Sequence, residues 1–296
     1  MLRARGSFVV GSSKLAIDVA VSLGVVSVAI ERDRLRYDTR FVDASAPVLR
    51  DGLVIYIVLE GRLGFGDDAE VEGPVAFALS SGEFEAATLG AVRYSVDGTR
   101  VRALELWLES HPHRDRAPTP FTGVVLEAAE ALFARAAPGL ESASDDDARV
   151  AATNALLAAL ADAGWCDRRM LLQLEGPAWD RLRATFKQLD LRRSLKLLAD
   201  EAAVSERQFN RDFTALVDLA GTGFRETLRR WRLRLGVLLL SAPDASITEV
   251  SRALGYAHPE AMTAIFREAG LPPPSEVRAA LLGERSPGSR RSRPPG

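Results

Sequence analysis

Leu195-Lys-Leu-Leu-Ala-Asp-Glu-Ala-Ala-Val204, followed by Ser205-Glu-Arg-Gln-Phe-Asn-Arg-Asp-Phe213, decides the fold of the C-terminal third. The first run is a short helix with one apolar face. Ser205 suits a helix N-cap, because its hydroxyl can accept from an amide two or three residues on. Phe209 and Phe213 are four apart and share one buried face of the second helix. Only a two- or three-residue turn separates the helices, which is helix-turn-helix spacing. In that arrangement the second helix enters the DNA major groove.

The arrangement recurs downstream. Ile247-Thr-Glu-Val-Ser-Arg-Ala-Leu254 is another short helix, with Ser246 as its N-cap candidate. Gly255 suits a left-handed turn position. Pro259 opens the next helix and Phe266 belongs to its buried face. Between the two units, Phe224–Leu240 alternates basic and apolar residues and predicts one long helix packed on both.

Residues 194–278 resemble the DNA-binding domain of the AraC/XylS family of bacterial transcription regulators. The resemblance rests on Leu198-Ala199, Val204-Ser205, Phe209, Arg211, Phe213, Phe224, Arg232-Leu233, Leu239-Leu240, Ile247, Leu254-Gly255-Tyr256, Phe266, Gly270 and Pro274–Arg278. It implies two helix-turn-helix units bridged by one long helix, reading successive major grooves about 34 Å apart on one side of the DNA. Five departures stand out, one of them an extra residue in Leu271-Pro272-Pro273 before Pro274. Ala203 replaces the usual turn glycine, and about three extra residues lie around Val217–Gly221. Gly236 replaces an alanine in the bridging helix. Ala261 and Ala264 stand on the second reading helix, where Ala264 replaces a residue commonly polar or basic, so the second unit is expected to read sequence weakly.

Arg207 and Arg211 are four apart, with Asn210 beside them. Arginine can make bidentate contact with guanine, and asparagine with adenine. The resemblance places all three at base-contact positions. His258, Glu260 and Thr263 are the polar groups of the second reading helix. His258 is either an N-cap or a base contact; Glu260 can accept from cytosine or favour the helix N-terminus. Ser205, Arg229, Arg230, Arg232, Arg252 and Arg267 are phosphate candidates, with Arg234 beside them. Some of these arginines must instead pair with Glu226, Glu249 or Glu268. Phosphate contacts fix register without reading sequence.

Upstream of about residue 116 the chain reads as β. Runs at Val25–Ile30, Leu53–Leu59, Val75–Leu79, Ala91–Val96 and Val101–Leu108 are separated by turn signals. Asp97-Gly98 is the strongest hairpin signal among them. This spacing predicts a sandwich or barrel with no alternating helices. The order of regions also resembles ligand-responsive family members, in which the first domain is a cupin-like barrel that binds a small effector. Tyr56, Phe65, Phe77, Phe84, Tyr94 and Trp107 either line a pocket there or form the core. Helices are predicted over Phe121–Ala136, Ala148–Ala163 and Gly176 to about Leu189.

The fold class is therefore α+β. Residues 1–116 form a β-rich, cupin-like sensor domain. Residues 117–189 form a helical linker or dimerisation region, 190–282 the DNA-binding domain, and 283–296 a disordered basic tail.

The chain has 296 residues and a net charge of −2, so overall charge suggests no partner. Its distribution does: residues 190–296 hold 17 basic and 13 acidic side chains, against 21 and 27 in residues 1–189. A basic module on an acidic one fits DNA binding. One cysteine, Cys166, forbids an intrachain disulfide and fits a reducing compartment. No apolar run reaches the roughly 20 residues of a membrane helix, and Met1–Gly6 leads into no signal-peptide pattern. His111-Pro112-His113 lacks a clustered third ligand, so neither metal nor cofactor is expected.

The expectation is a cytoplasmic regulator, not an enzyme. Its partners would be double-stranded DNA, a small-molecule effector, RNA polymerase and a second copy of the chain. The alternative is a cupin-type enzyme or binding protein with a vestigial DNA-binding tail.

Overall fold

The computed structural model describes residues 2–22, 25–38, 52–65, 69–80, 94–109, 116–136, 146–168, 177–185, 191–216 and 223–283. Its N-terminal part is one antiparallel sheet. The strands are β1 (Leu2–Val10), β2 (Ser13–Ser22), β3 (Val25–Asp33), β4 (Tyr37–Asp38), β5 (Gly52–Phe65), β6 (Ala69–Glu72), β7 (Val75–Ser80), β8 (Tyr94–Glu109) and β9 (Arg116–Pro120). The order is β1-β2-β3-β8-β5-β7-β9, with β4 on β8 and β6 on β5. Among the described residues this path does not close, so the expected barrel is an open sheet.

Two local features go beyond the expected strand runs. Leu2–Ser22, upstream of those runs, forms the β1–β2 hairpin around Gly11-Ser12. Asp97-Gly98 is not a hairpin. It lies inside β8, which pairs without interruption with β3 from Arg100 to Leu108. On the other edge β5 shifts register, with Glu60 opposite Arg102 but Arg62 opposite Asp97. The turn-prone dipeptide is used to bulge one long strand. The third predicted helix is described over Pro177–Thr185, and the rest of its predicted span, to about Leu189, lies outside the described residues. His111-Pro112-His113, Phe84 and the basic tail from Glu284 lie outside the described residues.

Both faces of the sheet are buried, which explains its apolar strands. On one face Leu53, Ile55, Ile57, Leu104, Leu106 and Leu108 pack under helices α1 (Val124–Ala136) and α2 (Asp146–Asp162), near Trp165 and Cys166. A polar knot pins α2 there. The buried carboxylate of Asp18 accepts from Arg3 (2.7 Å), Arg5 (2.9 Å) and Arg149 (3.1 Å). Arg149 also donates to Ser27 and Thr153, while Arg3 reaches the carbonyls of Arg135 and Ala136 at the end of α1. Burial pushes the Arg149 guanidinium down from its ordinary value, and the Asp18 charge opposes that shift.

The opposite face carries Val54, Tyr56, Val58, Phe77, Ala103 and Trp107, and its covering is the C-terminal helical region. That region comprises α3 (Pro177–Thr185), α4 (Leu195–Glu201), α5 (Glu206–Leu216), α6 (Phe224–Leu240), α7 (Ile247–Ala253), α8 (Pro259–Glu268) and α9 (Pro274–Leu281). Its core and this sheet face form one continuous apolar cluster. Tyr56, Phe77 and Trp107 are therefore core, with Tyr56 stacked on Phe77 at 4.8 Å. Within the cluster Arg234 of α6 pairs with Glu105 of β8, both fully buried. The Arg234 guanidinium lies 5.0 Å over the Trp107 ring, which itself stacks on Trp231 of α6 at 6.2 Å. No helix among the described residues is long and apolar enough to cross a membrane.

Removing one partner of a buried ion pair strands the other charge and costs about 3–5 kcal/mol. Glu105→Ala is expected to lower unfolding free energy by that amount in urea titrations, and Glu105→Ala/Arg234→Met to recover most of it. A double variant no more stable than the single would contradict this account. Cys166 is buried, donates to the Leu157 carbonyl at 3.6 Å, and has its thiol pushed up to about 11 by burial. It therefore stays protonated at pH 8. A thiol reagent at that pH should label the native protein slowly and the urea-unfolded chain at once.

Candidate nucleic-acid interface

The first unit is built from α4 and α5. Ser194 caps α4, its hydroxyl accepting from the Leu197 amide. The turn carries Ala203 at φ +53°, a left-handed backbone that strains a side chain with a Cβ. Ser205 then caps α5, accepting from the Gln208 amide at 3.1 Å. Phe209 and Phe213 are buried and meet the Phe224 ring edge-on at 6.3 and 5.4 Å. This aromatic clamp fixes the angle between α5 and the bridging helix α6.

With the phenylalanines inward, Arg207 and Arg211 are exposed on the opposite side of α5. Asn210 does not join them. Its side-chain oxygen accepts from the Phe224 amide at 3.0 Å and so caps the start of α6. At about 3.6 residues per turn, position 210 lies only some 60° from Phe213, on the edge of the buried face. Gly223 makes this approach possible: it sits at φ +86°, and a Cβ there would lie 3.1 Å from the Asn210 oxygen.

The phosphate candidates divide. Arg229 and Arg230 both clamp Glu226, at 2.7 and 3.0 Å. The Arg229 hydrogen bond holds the Glu226 carboxyl below its ordinary value. Arg232 donates to the Leu191 carbonyl and lies 5.5 Å over the Tyr256 ring, so it braces the domain from within. Arg234 faces the sheet, as described above. Arg252 is exposed but lines a cavity of about 300 Å³ with Val9, Val10, Gly11, Arg192, Glu249 and Ala253. That places it beside the β1–β2 turn. Arg267 is exposed on α8. Arg225, not singled out in the sequence, is 82% exposed at the start of α6 and lies 3.7 Å from Glu206. Its position one residue after Phe224 was the available signal.

The second unit follows the same plan. Ser246 and Glu249 form a reciprocal capping box at the start of α7, which spends Glu249 on the cap. Gly255 turns the chain at φ +81°, where a Cβ would lie 2.7 Å from the Arg192 side chain. His258 occupies the N-cap of α8 by backbone, but its imidazole makes no cap hydrogen bond and is exposed. Glu260 is exposed in the first turn, and Thr263 donates to the Pro259 carbonyl at 3.1 Å. Met262 and Phe266 are buried. Gly236 permits the close crossing of α6: a Cβ there would lie 3.1 Å from Leu254 and 3.4 Å from Phe266.

Two capped helix-turn-helix units, braced by one helix and presenting arginines outward, match a known family. Residues 198–280 fit the family model described as "Helix-turn-helix domain". This segment is an AraC-type helix-turn-helix domain.

Among solved structures the chain is similar to ToxT from Vibrio cholerae, at 8% identity and TM-score 0.35, covering 90% of this chain and 98% of that one. It is similar also to unsaturated fatty acid bound ToxT from V. cholerae strain SCE256, at 9% identity and TM-score 0.35, covering 94% and 99%. The AraC-like transcriptional activator CuxR follows at 13% identity and TM-score 0.29, covering 75% and 79%. At such scores the likeness carries no argument, and the assignment stands on residues 198–280. None of the curated proteins matches the chain.

Within the helix-turn-helix domain, Ala203 supplies a test of the turn. Ala203→Gly removes the left-handed strain, offset in part by the greater freedom of glycine in the unfolded chain. The expected net gain is about 0.5–1 kcal/mol by thermal unfolding. A loss of stability would contradict the strained turn.

Proposed function

We propose that the protein is a sequence-specific transcription regulator, not an enzyme, that acts on double-stranded DNA in the cytoplasm. One observation carries this reading: Arg207 and Arg211 stand outward on a capped helix whose other face is locked by Phe209, Phe213 and Phe224. A rigid helix presenting two arginines four residues apart suits bidentate contact with guanines in the major groove. Arg225 and Arg267, both exposed, are the phosphate contacts that would fix register. Asn210 supports the readout by capping α6, and Ser205 by capping α5.

The second unit makes the smaller contribution to base readout. Its reading helix offers His258 and Glu260, while Thr263 bonds its own backbone. The sheet domain is the place where a small-molecule effector acts, because its face with Val54, Tyr56 and Trp107 shares a core with the bridging helix. A second copy of the chain and RNA polymerase are the remaining proposed partners.

The test is selection of bound sites from random DNA by full-length protein across a salt series. A two-part motif about one helical turn apart is expected, with the stronger half assigned to α5. Arg207→Ala and Arg211→Ala should each cost about 1–3 kcal/mol of discrimination at one base pair. Binding that falls with salt but enriches no motif would overturn sequence-specific regulation in favour of a general grip on phosphate.

A further inference from the structure

Arg211 does not project from α5 alone. Its guanidinium donates to the side-chain oxygen of Gln208. The Gln208 amide nitrogen donates to Asp212 Oδ1 at 2.7 Å. Asp212 Oδ2 accepts from Arg181 of α3 at 2.7 Å. The order of donors and acceptors is self-consistent. Arginine can only donate and a carboxylate can only accept, so Gln208 must turn its oxygen to Arg211 and its nitrogen to Asp212. Positions 208, 211 and 212 lie on one stripe of α5, three and four residues apart. The chain runs from the exposed Arg211 inward to Asp212, whose side chain is 12% exposed, and is anchored on Arg181, which is 35% exposed.

The anchor lies outside the matched domain. Arg181 belongs to α3, which packs on β1 of the sheet as well as on α5. Its neighbour Leu182 is buried in the shared core, and Thr185, at the end of α3, accepts from Arg193.

We propose that Arg181, Asp212 and Gln208 form a positioning relay that presets the Arg211 guanidinium for one guanine and ties its readout to the linker helix. This inference rests on the base contact by Arg211 proposed above. An unrestrained arginine would lose side-chain freedom on meeting the base. One already held by Gln208 loses less, so the relay raises discrimination at that base pair. Gln208, Asp212 and Arg181 are positioning residues and need not touch DNA. Because Arg181 rides on α3, a shift of α3 against α5 would release Arg211 while leaving the caps and the aromatic clamp of α5 intact.

The experiment uses the full-length chain and its selected site, with every base pair of that site replaced in turn. Arg211→Ala identifies the base pair it reads. Gln208→Ala and Arg181→Gln are then expected to lower discrimination at that base pair by about 2- to 10-fold. They should leave the base pair assigned to Arg207 unchanged. Neither should have a further effect in the Arg211→Ala background. Gln208→Ala removes a surface side chain from a helix and introduces the best helix former, so it keeps the test valid if Arg181→Gln unfolds. A uniform loss of affinity at every base pair, or unchanged discrimination in Gln208→Ala, would overturn the relay while the base contact stands. An Arg211→Ala protein that changes no base pair would overturn both.

Discussion

The buried pair between Arg234 and Glu105 is the constraint on which the rest of the arrangement depends. A guanidinium taken wholly out of water is tolerated only against a carboxylate and further favourable contacts. Here Glu105 supplies the charge, and the Trp107 and Trp231 rings lie 5.0 and 5.8 Å from the guanidinium. The pairing has a directional consequence. Arg234 is on α6, the helix that braces both helix-turn-helix units, and Glu105 is on β8, a central strand of the sheet. Sliding or rotating α6 on the sheet would separate the two charges inside an apolar cluster. Apolar packing alone would permit several registers; the ion pair selects one.

That constraint was invisible in the sequence for a definite reason. Arg229, Arg230, Arg232 and Arg234 look alike in a run of alternating basic and apolar residues. Their destinations differ because the helix is covered on one side by the sheet and on another by α7 and α8. Three-dimensional partners, not helical spacing, decide that Arg234 goes inward and that Glu226 gathers Arg229 and Arg230. Asn210 is a similar case. Spacing puts it near Arg207, but its angular position borders Phe213, and the amide of Phe224 claims it. Local signals fared better. Ser205, Ser246, Gly255 and Pro259 each satisfy a backbone need within four residues, so their roles were legible directly, whereas Glu249, expected to pair with an arginine, closes the capping box on Ser246.

The sheet divides along the same line. Its strands at 25–33 and 75–80 announce themselves by apolar runs. The β1–β2 hairpin was harder to see because polar Ser7, Ser12 and Ser13 and charged Arg3, Arg5, Lys14 and Asp18 interrupt it. Several of those residues are structural. Asp18 collects three arginines, and Ser12 donates its amide to Asp244 at 2.9 Å. Closure could not be read at all. It depends on whether the first and last strands meet, and no local signal in β1 or β9 encodes that.

Several links join the sheet to the DNA-binding region. Glu105–Arg234 holds the bridging helix, Ser12–Asp244 holds the segment leading into the second unit, and α3 joins β1 to α5. A fourth link runs through Arg36, whose amide donates to Ser241 and whose guanidinium donates to the Leu281 carbonyl. Both helix-turn-helix units are thus referenced to one rigid sheet. Their relative orientation is set twice, once by α6 and once by the sheet. An effector bound to the sheet can shift DNA affinity only by binding one arrangement of these links better than another. Moving the balance from 1:99 to 99:1 takes about 5.5 kcal/mol of such preference. Stranding one member of a buried ion pair costs about 3–5 kcal/mol. A ligand that favours an arrangement in which Glu105 and Arg234 are separated must therefore recover that cost in its own contacts before any preference remains to shift the population.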